Sequence, residues 1–253
     1  MNSWFRRGNL KLKNSRFFSS RTAAKRVFYP GCSLPGADPD FCLQVYEKLL
    51  EQDPDLGLWF DCCAKPLRLK KDHLAADKAE QALLQSLLDA GVDEVITACG
   101  NCFEQFGSFT EGSLKVTMVY DALQGLELAK GSAGWTLHHP CFSRVQPQMQ
   151  ESIFRLADRH GFTLKNREQQ DHPLACCLHK TKKAVQRRVE HKQEKLLTYC
   201  AHCVMSFQQD IPARHLLQEL LGSTTHWRAP GKIGLFANYR RFCKLLKEQA
   251  PGL

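Results

Sequence analysis

Ten of the chain's twelve cysteines fall into one pattern used twice: a single Cys, then an adjacent pair, then CxxC. The first set is Cys32, Cys62-Cys63 and Cys99-Gly100-Asn101-Cys102; the second is Cys141, Cys176-Cys177 and Cys200-Ala201-His202-Cys203. Gaps of 29, 35 and 2 residues separate the groups of the first set, against 34, 22 and 2 in the second. Thiols this far apart in sequence share a site only in a fold that gathers distant loops. A disulfide framework is a poor explanation. No apolar run of roughly 7–15 residues follows the N-terminal charges as an export signal requires, and thiols kept in a reducing compartment bind metal or do redox work. The expected setting is therefore cytoplasmic.

The local pattern supplies such a fold. Val27-Phe28-Tyr29 reads as a strand running into Pro30-Gly31-Cys32, and Phe41, Val45 and Leu49 with Cys42, Tyr46 and Leu50 mark an amphipathic helix. Leu56 to Phe60 gives a strand ending at Asp61-Cys62-Cys63. Ala75, Ala79, Leu83 and Leu87 then share one helical face that Gly91 terminates, and Glu94 to Ala98 is a strand leading into Cys99. The second half repeats this order. Trp135 to His138 leads to His139-Pro140-Cys141, a helix spans Gln148 to His160, a polar helix lies near Thr181 to Lys192, and Lys195 to Tyr199 runs into Cys200. Val116 to Leu123 and Ile211 to Leu217 match as a short strand or loop entering a helix.

Each cysteine group thus sits after a strand and before a helix. In a parallel α/β sheet those positions converge at the carboxyl ends of the strands, where such folds place their ligands. The expected architecture is α/β, with two pseudo-repeated lobes of parallel strands and flanking helices. The expected domains are a basic, disordered tail at 1–25, a first cysteine-rich domain at 26–130, a second at 131–222, and a C-terminal extension with a helix at 223–253. Gly125 to Gly134 is the linker between the lobes.

Thiolates select soft or borderline metals, so zinc and iron–sulfur are the serious candidates, with redox-active dithiols a third. A structural zinc site wants four ligands, typically from two CxxC-like knuckles. Each half here offers one CxxC, one vicinal pair and one single Cys, which suits a polynuclear cluster better.

The combined motif resembles the cysteine-rich CCG domain found twice in the CCG-type subunit of heterodisulfide reductase. It is also similar to the iron–sulfur subunit of glycerol-3-phosphate dehydrogenase, to lactate-utilisation proteins and to an unusual succinate dehydrogenase membrane-anchor type. The resemblance spans about residues 26–221. It implies two clusters of 4Fe–4S type, noncubane in the heterodisulfide reductase branch. One would be held by Cys32, Cys62, Cys63, Cys99 and Cys102, the other by Cys141, Cys176, Cys177, Cys200 and Cys203. It further implies an iron–sulfur oxidoreductase subunit that reduces a disulfide or related thiol substrate with electrons from a partner subunit. The alternatives are a non-catalytic electron relay in a quinone-linked dehydrogenase complex and a zinc-stabilised interaction module. Two departures stand out. The glycine after the vicinal pair is replaced by Ala64 and Leu178, and the 22-residue gap is short.

His139 and His202 are candidate proton donors to a leaving thiolate, and His138 and His179 lie beside other site cysteines. Lys65 and Lys180 follow the vicinal pairs. Cys42 and Cys243 sit on apolar helical faces and read as core.

Charge narrows the partners. Of the net +9, eight positive charges lie in residues 1–26, which contain no acid, so 9 − 8 leaves +1 for the remainder. A nearly neutral body lacks the electrostatic footprint of a nucleic-acid binder. The basic tail is suited to peripheral contact with anionic lipid, and no stretch reaches the ~18 consecutive apolar residues of a membrane span.

Overall fold

The computed structural model describes residues 20–21, 24–165, 195–208, 211–227 and 230–249. The chain divides into two compact units, Met1–Ala122 with Gly231–Leu253, and Leu123–Pro230. The C-terminal segment therefore belongs with the first unit.

The first unit is built on a five-stranded sheet of β1 (Ser20–Arg21), β2 (Arg26–Tyr29), β3 (Gly57–Phe60), β4 (Glu94–Thr97) and β5 (Lys115–Met118), in the order β1-β3-β2-β4-β5. β2 to β5 pair in parallel. β1 is antiparallel to β3, with Ser20 opposite Phe60, so pairing begins upstream of the Arg26 boundary read from the sequence. Val27 to Tyr29, Leu58 to Phe60 and Val95 to Thr97 are buried, as expected of parallel strands covered on both faces.

Helices α1 (Ser33–Ala37) and α2 (Pro39–Leu50) connect β2 to β3, and α3 (Lys65–Arg68) and α4 (His73–Asp89) connect β3 to β4. Helix α5 (Gly100–Phe109) and the short α6 (Val119–Ala122) follow β4 and β5. The boundaries have local causes. The Asp38 side chain accepts from Phe41 N–H ahead of Pro39, and Asp72 accepts from Ala75 N–H. Gly91, at φ +73°, ends α4, with its N–H bonded to Leu88 and that of Val92 to Leu87.

The second unit repeats the topology. Strands β6 (Trp135–His138), β7 (Leu164–Lys165), β8 (Lys195–Thr198) and β9 (Ala213–His215) form a parallel sheet in the order β7-β6-β8-β9. Helices α7 (Pro147–Arg159), α8 (Ala201–Phe207) and α9 (Leu216–Leu220) accompany it. Counting only the parallel strands, both units run second-first-third-fourth across the sheet. Their registers end alike, Tyr29 opposite Thr97 opposite Met118, and His138 opposite Thr198 opposite His215. The ring that ends each first strand meets a Phe edge-on: Tyr29 on Phe106 at 4.9 Å, His138 on Phe207 at 4.8 Å.

Among the described residues no helix is long and apolar enough to cross a membrane. The C-terminal helix α10 (Lys232–Gln249) packs on α1 and α2 of the first unit and is the longest helix described.

His215 titrates against folding in the second unit. Its Nδ1 accepts from Leu217 N–H at 3.2 Å, its own N–H donates to Gln218 Oε1 at 2.9 Å, and Trp227 lies 5.2 Å from its ring. Burial pushes its pKa down to about 3. The folded chain keeps it neutral while the unfolded chain protonates it below ~6.5, so its stabilising share is complete above that pH and is lost as pH falls toward about 3. Denaturant unfolding followed between pH 7 and 4.5 should show falling stability. His215→Asn, which retains a capping acceptor, should reduce that slope by about one bound proton. The remainder includes a share from His160, whose pKa is lowered by burial and by Arg159.

Candidate functional site

Strand order fixes where the first cysteine set meets. The chain leaves β2 for β3 on one side and returns to β4 on the other, so the crevice beyond the carboxyl ends of β2 and β4 is the topological switch point. Cys32 and Cys99 open from these two strands, and Cys62-Cys63 from β3 beside them.

Gly31 makes the closest approach. Its φ is +71°, and a Cβ placed on it would lie 2.6 Å from Cys99 Cβ and 3.2 Å from Cys102 Sγ. Only a glycine lets the loop after β2 rest against the CxxC motif. Across the site, Cys102 Sγ lies 3.2 Å from Cys63 Sγ. Cys63, Cys99 and Cys102 thus surround one point. Tyr29 reports on the same cluster: burial first, then the charges of Cys63, Cys102, Asp61 and Cys62, raise its pKa well above normal, and its hydroxyl donates to Asp61 O at 2.7 Å. Cys62 N–H is held by Asp61 Oδ1 at 2.8 Å, and Cys99 N–H by Thr97 Oγ1 at 3.2 Å. Cys62, Cys63 and Cys102 are buried, while Cys32 and Cys99 are half-buried. Cys32 Sγ lies 4.0 Å from Ser33 Oγ.

Two polar ties hold the helix after the vicinal pair against the CxxC helix. Lys65 Nζ meets Glu104 Oε2 at 2.8 Å, which pairs the charge of this lysine. Arg68 Nε donates to Glu80 Oε1 at 2.9 Å, and the same oxygen accepts from Gln105 Nε2 at 2.7 Å. Glu80 is 3% exposed. Sequence patterning had no means of finding this carboxylate, which lies on a helix whose other buried positions are apolar.

Ala64 answers the missing glycine. It adopts φ +61°, ψ −6°, the left-handed conformation a glycine takes freely, with its methyl buried against Leu67 and Ala76. The backbone path after the pair is retained, at a cost of roughly 1–2 kcal/mol for a non-glycine residue there.

Among the described residues no three His, Cys, Asp and Glu side chains are placed to grip a single metal ion. The thiols close on one another instead. Their 3.2 Å separation is shorter than the roughly 3.8 Å between two sulfurs on a tetrahedral ion with ~2.3 Å bonds. Hydrogen bonds with Cys63 and Cys99, together with burial, push the Cys102 thiol well up. The donor chemistry suits an iron–sulfur cluster: five thiols stand on three loops at one sheet edge, and thiolate is the ligand type such clusters take.

In the second unit Cys141 opens a 3₁₀ turn (Cys141–Val145) after β6, and Cys200 and Cys203 occupy the same places on α8 that Cys99 and Cys102 occupy on α5. Cys203 is buried with Leu196, Phe207, Ile211 and Ala213, and Cys200 packs against this group. Cys176, Cys177, His179, Lys180 and the expected helix at 181–192 lie outside the described residues.

His139 is buried, with Nδ1 2.8 Å from Tyr199 Oη; Tyr199 donates to Ser143 Oγ at 2.6 Å, and Ser143 to Pro140 O at 2.9 Å. With both hydroxyl protons directed onward, His139 must donate through Nδ1, so it has a second proton to give only as imidazolium. His202 is half-buried, next to Cys203. Cys42 and Cys243 are buried in the first unit, and burial raises both thiols.

Fold and site together define an α/β protein carrying a cysteine-rich domain. Residues 27–107 match the family model of the cysteine-rich domain named CCG, a domain common in iron–sulfur subunits of oxidoreductases. No curated protein matches the chain. Similar solved structures include a putative Asp/Glu racemase from Yersinia pestis, 12% identical over 87% of this chain and 99% of that one at TM-score 0.36. Another is an aspartate racemase homologue from Pyrococcus horikoshii OT3, 13% identical over 87% and 98% at TM-score 0.31. Both scores are too low to relate either protein's chemistry to this chain.

Gly31→Ala should therefore destabilise the first unit by about 2–5 kcal/mol, the sum of left-handed strain and overpacking. Gly112→Ala is the control, with φ +83° and nothing within 4 Å of an added Cβ, so it should cost only the strain of about 1–2 kcal/mol. Urea unfolding of the two variants measures the difference.

Proposed function

We propose that the chain is an iron–sulfur component of an oxidoreductase, binding two clusters of 4Fe–4S type and reducing a disulfide or related thiol substrate with electrons from a partner subunit. The observation that carries this reading is the meeting of Cys63, Cys99 and Cys102 against Gly31 at the switch point of a CCG domain. The first cluster takes Cys32, Cys62, Cys63, Cys99 and Cys102. The second takes Cys141, Cys176, Cys177, Cys200 and Cys203.

A bound cluster supplies electrons singly, so the two-electron cleavage of a disulfide is divided into two steps. The chain's own residues do the rest. Cys32 and Cys99, the half-buried thiols of the first set, mark the side from which a substrate approaches. Tyr29 and Phe106 wall the inner side and keep water out. Cleavage consumes two electrons and two protons and releases two thiols. His202 and, as imidazolium, His139 are the proposed proton donors in the second unit. The basic N-terminal tail is proposed to touch a partner or an anionic membrane surface.

The test is anaerobic purification with iron and acid-labile sulfide analysis and electron paramagnetic resonance. Iron and sulfide in equal amounts, at about eight of each per chain for two 4Fe–4S clusters, with a spectrum that changes on adding a disulfide, is the expected result. Clusters that are reduced and reoxidised yet ignore disulfides would make the chain an electron relay. Zinc without sulfide, or a folded chain free of iron, would overturn the reading. Replacing Cys99 and Cys102 by Ser should remove about half of the iron and leave the rest.

A further inference from the structure

Helix α10 returns to the first unit after the chain has built the second, and its inner face touches one of the three cysteine loops and the end of the strand that leads into another. Tyr239 Oη donates to the carbonyl of Cys32 at 3.0 Å, and Asn238 Nδ2 donates to Gly36 O at 2.8 Å. These bonds grip the residue that caps α1 and one near its end. Gly36 permits this. A Cβ there would lie 2.6 Å from Leu235 Cδ1 and 3.3 Å from the Tyr239 ring and hydroxyl. Arg241 pairs with Asp40 in the first turn of α2 at 2.7 Å. On the same inner face, Tyr239 and Phe242 pack on Phe60 at ring distances of 5.6 and 5.3 Å, and Phe60 ends β3 one residue before Asp61-Cys62. Tyr239 is 1% exposed, so its hydroxyl is committed inward.

Helix α1 is too short to orient Cys32 alone. It has five residues, includes Pro35, and Cys32 caps it without a side-chain hydrogen bond. A bond to the Cys32 carbonyl fixes the peptide plane after that residue and so restrains the direction of its Cα–Cβ bond, leaving χ1 to choose among few rotamers for the thiol.

We propose that Tyr239 is a positioning residue for Cys32, and that the first cysteine site is complete only with the C-terminal helix docked. The orientation of Cys32 rests on this geometry alone; its bearing on a cluster rests on the function proposed above.

Tyr239→Phe in the full-length chain removes the hydroxyl and retains the ring on Phe60. In the cluster-free, reduced protein, alkylation of Cys32 by iodoacetamide, mapped by mass spectrometry, should accelerate roughly fivefold, the factor for one net hydrogen bond. Cys200, half-buried in the other unit, is the internal control and should keep its rate. Arg241→Ala, which removes an exposed ion pair of the same helix, should leave Cys32 unchanged. An unaltered Cys32 rate in Tyr239→Phe overturns the proposal. Equal acceleration at Cys32 and Cys200 also overturns it, as general loosening. After reconstitution with iron and sulfide, the variant should show an altered resonance from the first site and a normal one from the second. A Cys32-specific change in a chain that takes up no iron would sink the proposed function and leave this inference standing.

Discussion

Parallel pairing of β2 with β4, and of β6 with β8, is the contact that brings the single Cys of each set to the same sheet edge as its CxxC. It brings Tyr29 level with Thr97 and His138 level with Thr198, so both chains leave the sheet at one edge, within a few residues of their cysteines. Antiparallel neighbours would send the two loops to opposite edges. Parallel neighbours require a crossover of a dozen residues or more, and this accounts for the long gaps. The 29 residues between Cys32 and Cys62 hold α1, α2 and β3; the 35 between Cys63 and Cys99 hold α3, α4 and β4. The two-residue gap has another origin. Cys99 caps α5 and Cys102 stands in its first turn, so a single turn of helix turns both thiols toward the crevice.

The two units share this plan and fasten it differently. In the first, Gly31 lies directly on the CxxC motif and Thr97 Oγ1 holds the N–H of Cys99. In the second, Pro140 occupies the place of Gly31 and Thr198 that of Thr97, and among the described residues the buried Thr198 hydroxyl has no hydrogen-bond partner. Proline has no N–H and a ring where the glycine had space, so its loop cannot approach as closely. A buried chain from His139 through Tyr199 to Ser143 and Pro140 O ties the loops instead. One unit uses backbone proximity for the join, the other a side-chain network. The same order of cysteine groups thus does not guarantee the same surroundings.

Sequence periodicity reveals whatever is repeated and apolar. Val27 to Tyr29, Glu94 to Thr97 and Trp135 to His138 stand out because they are short runs rich in β-branched and aromatic residues, and the helices over 39–50 and 73–89 because one face is buried. Strands β1 and β7 are two residues long as described, which is too short to carry a period. Strand order is not written in any one segment, so the convergence of the cysteine loops could be expected only from the general rule for parallel sheets. Long-range polar ties are equally silent. Nothing near Glu80 foretells Arg68 and Gln105, and nothing near Tyr239 foretells a carbonyl 207 positions away. Position 64 was legible as an exception, because the residue that replaces a glycine there has to bear a left-handed backbone.

Gathering thiols in a buried crevice is unfavourable while they are ionised, and the first site shows how the chain bears it. Cys102 shares hydrogen bonds with Cys63 and Cys99, and these bonds and burial raise its pKa, which disfavours its ionised form. The scaffold behind it does not depend on that state. Arg68, Glu80 and Gln105 join three helices, and Lys65 joins Glu104, with no thiol taking part. Under the proposed function, loading the site requires the thiols to lose protons and separate while the loops stay where these ties hold them. Proton release makes loading more favourable as pH rises, and the preformed scaffold confines the rearrangement to side chains. The cysteine residues supply the ligands, but the polar ties around them decide that they remain together before any ligand arrives.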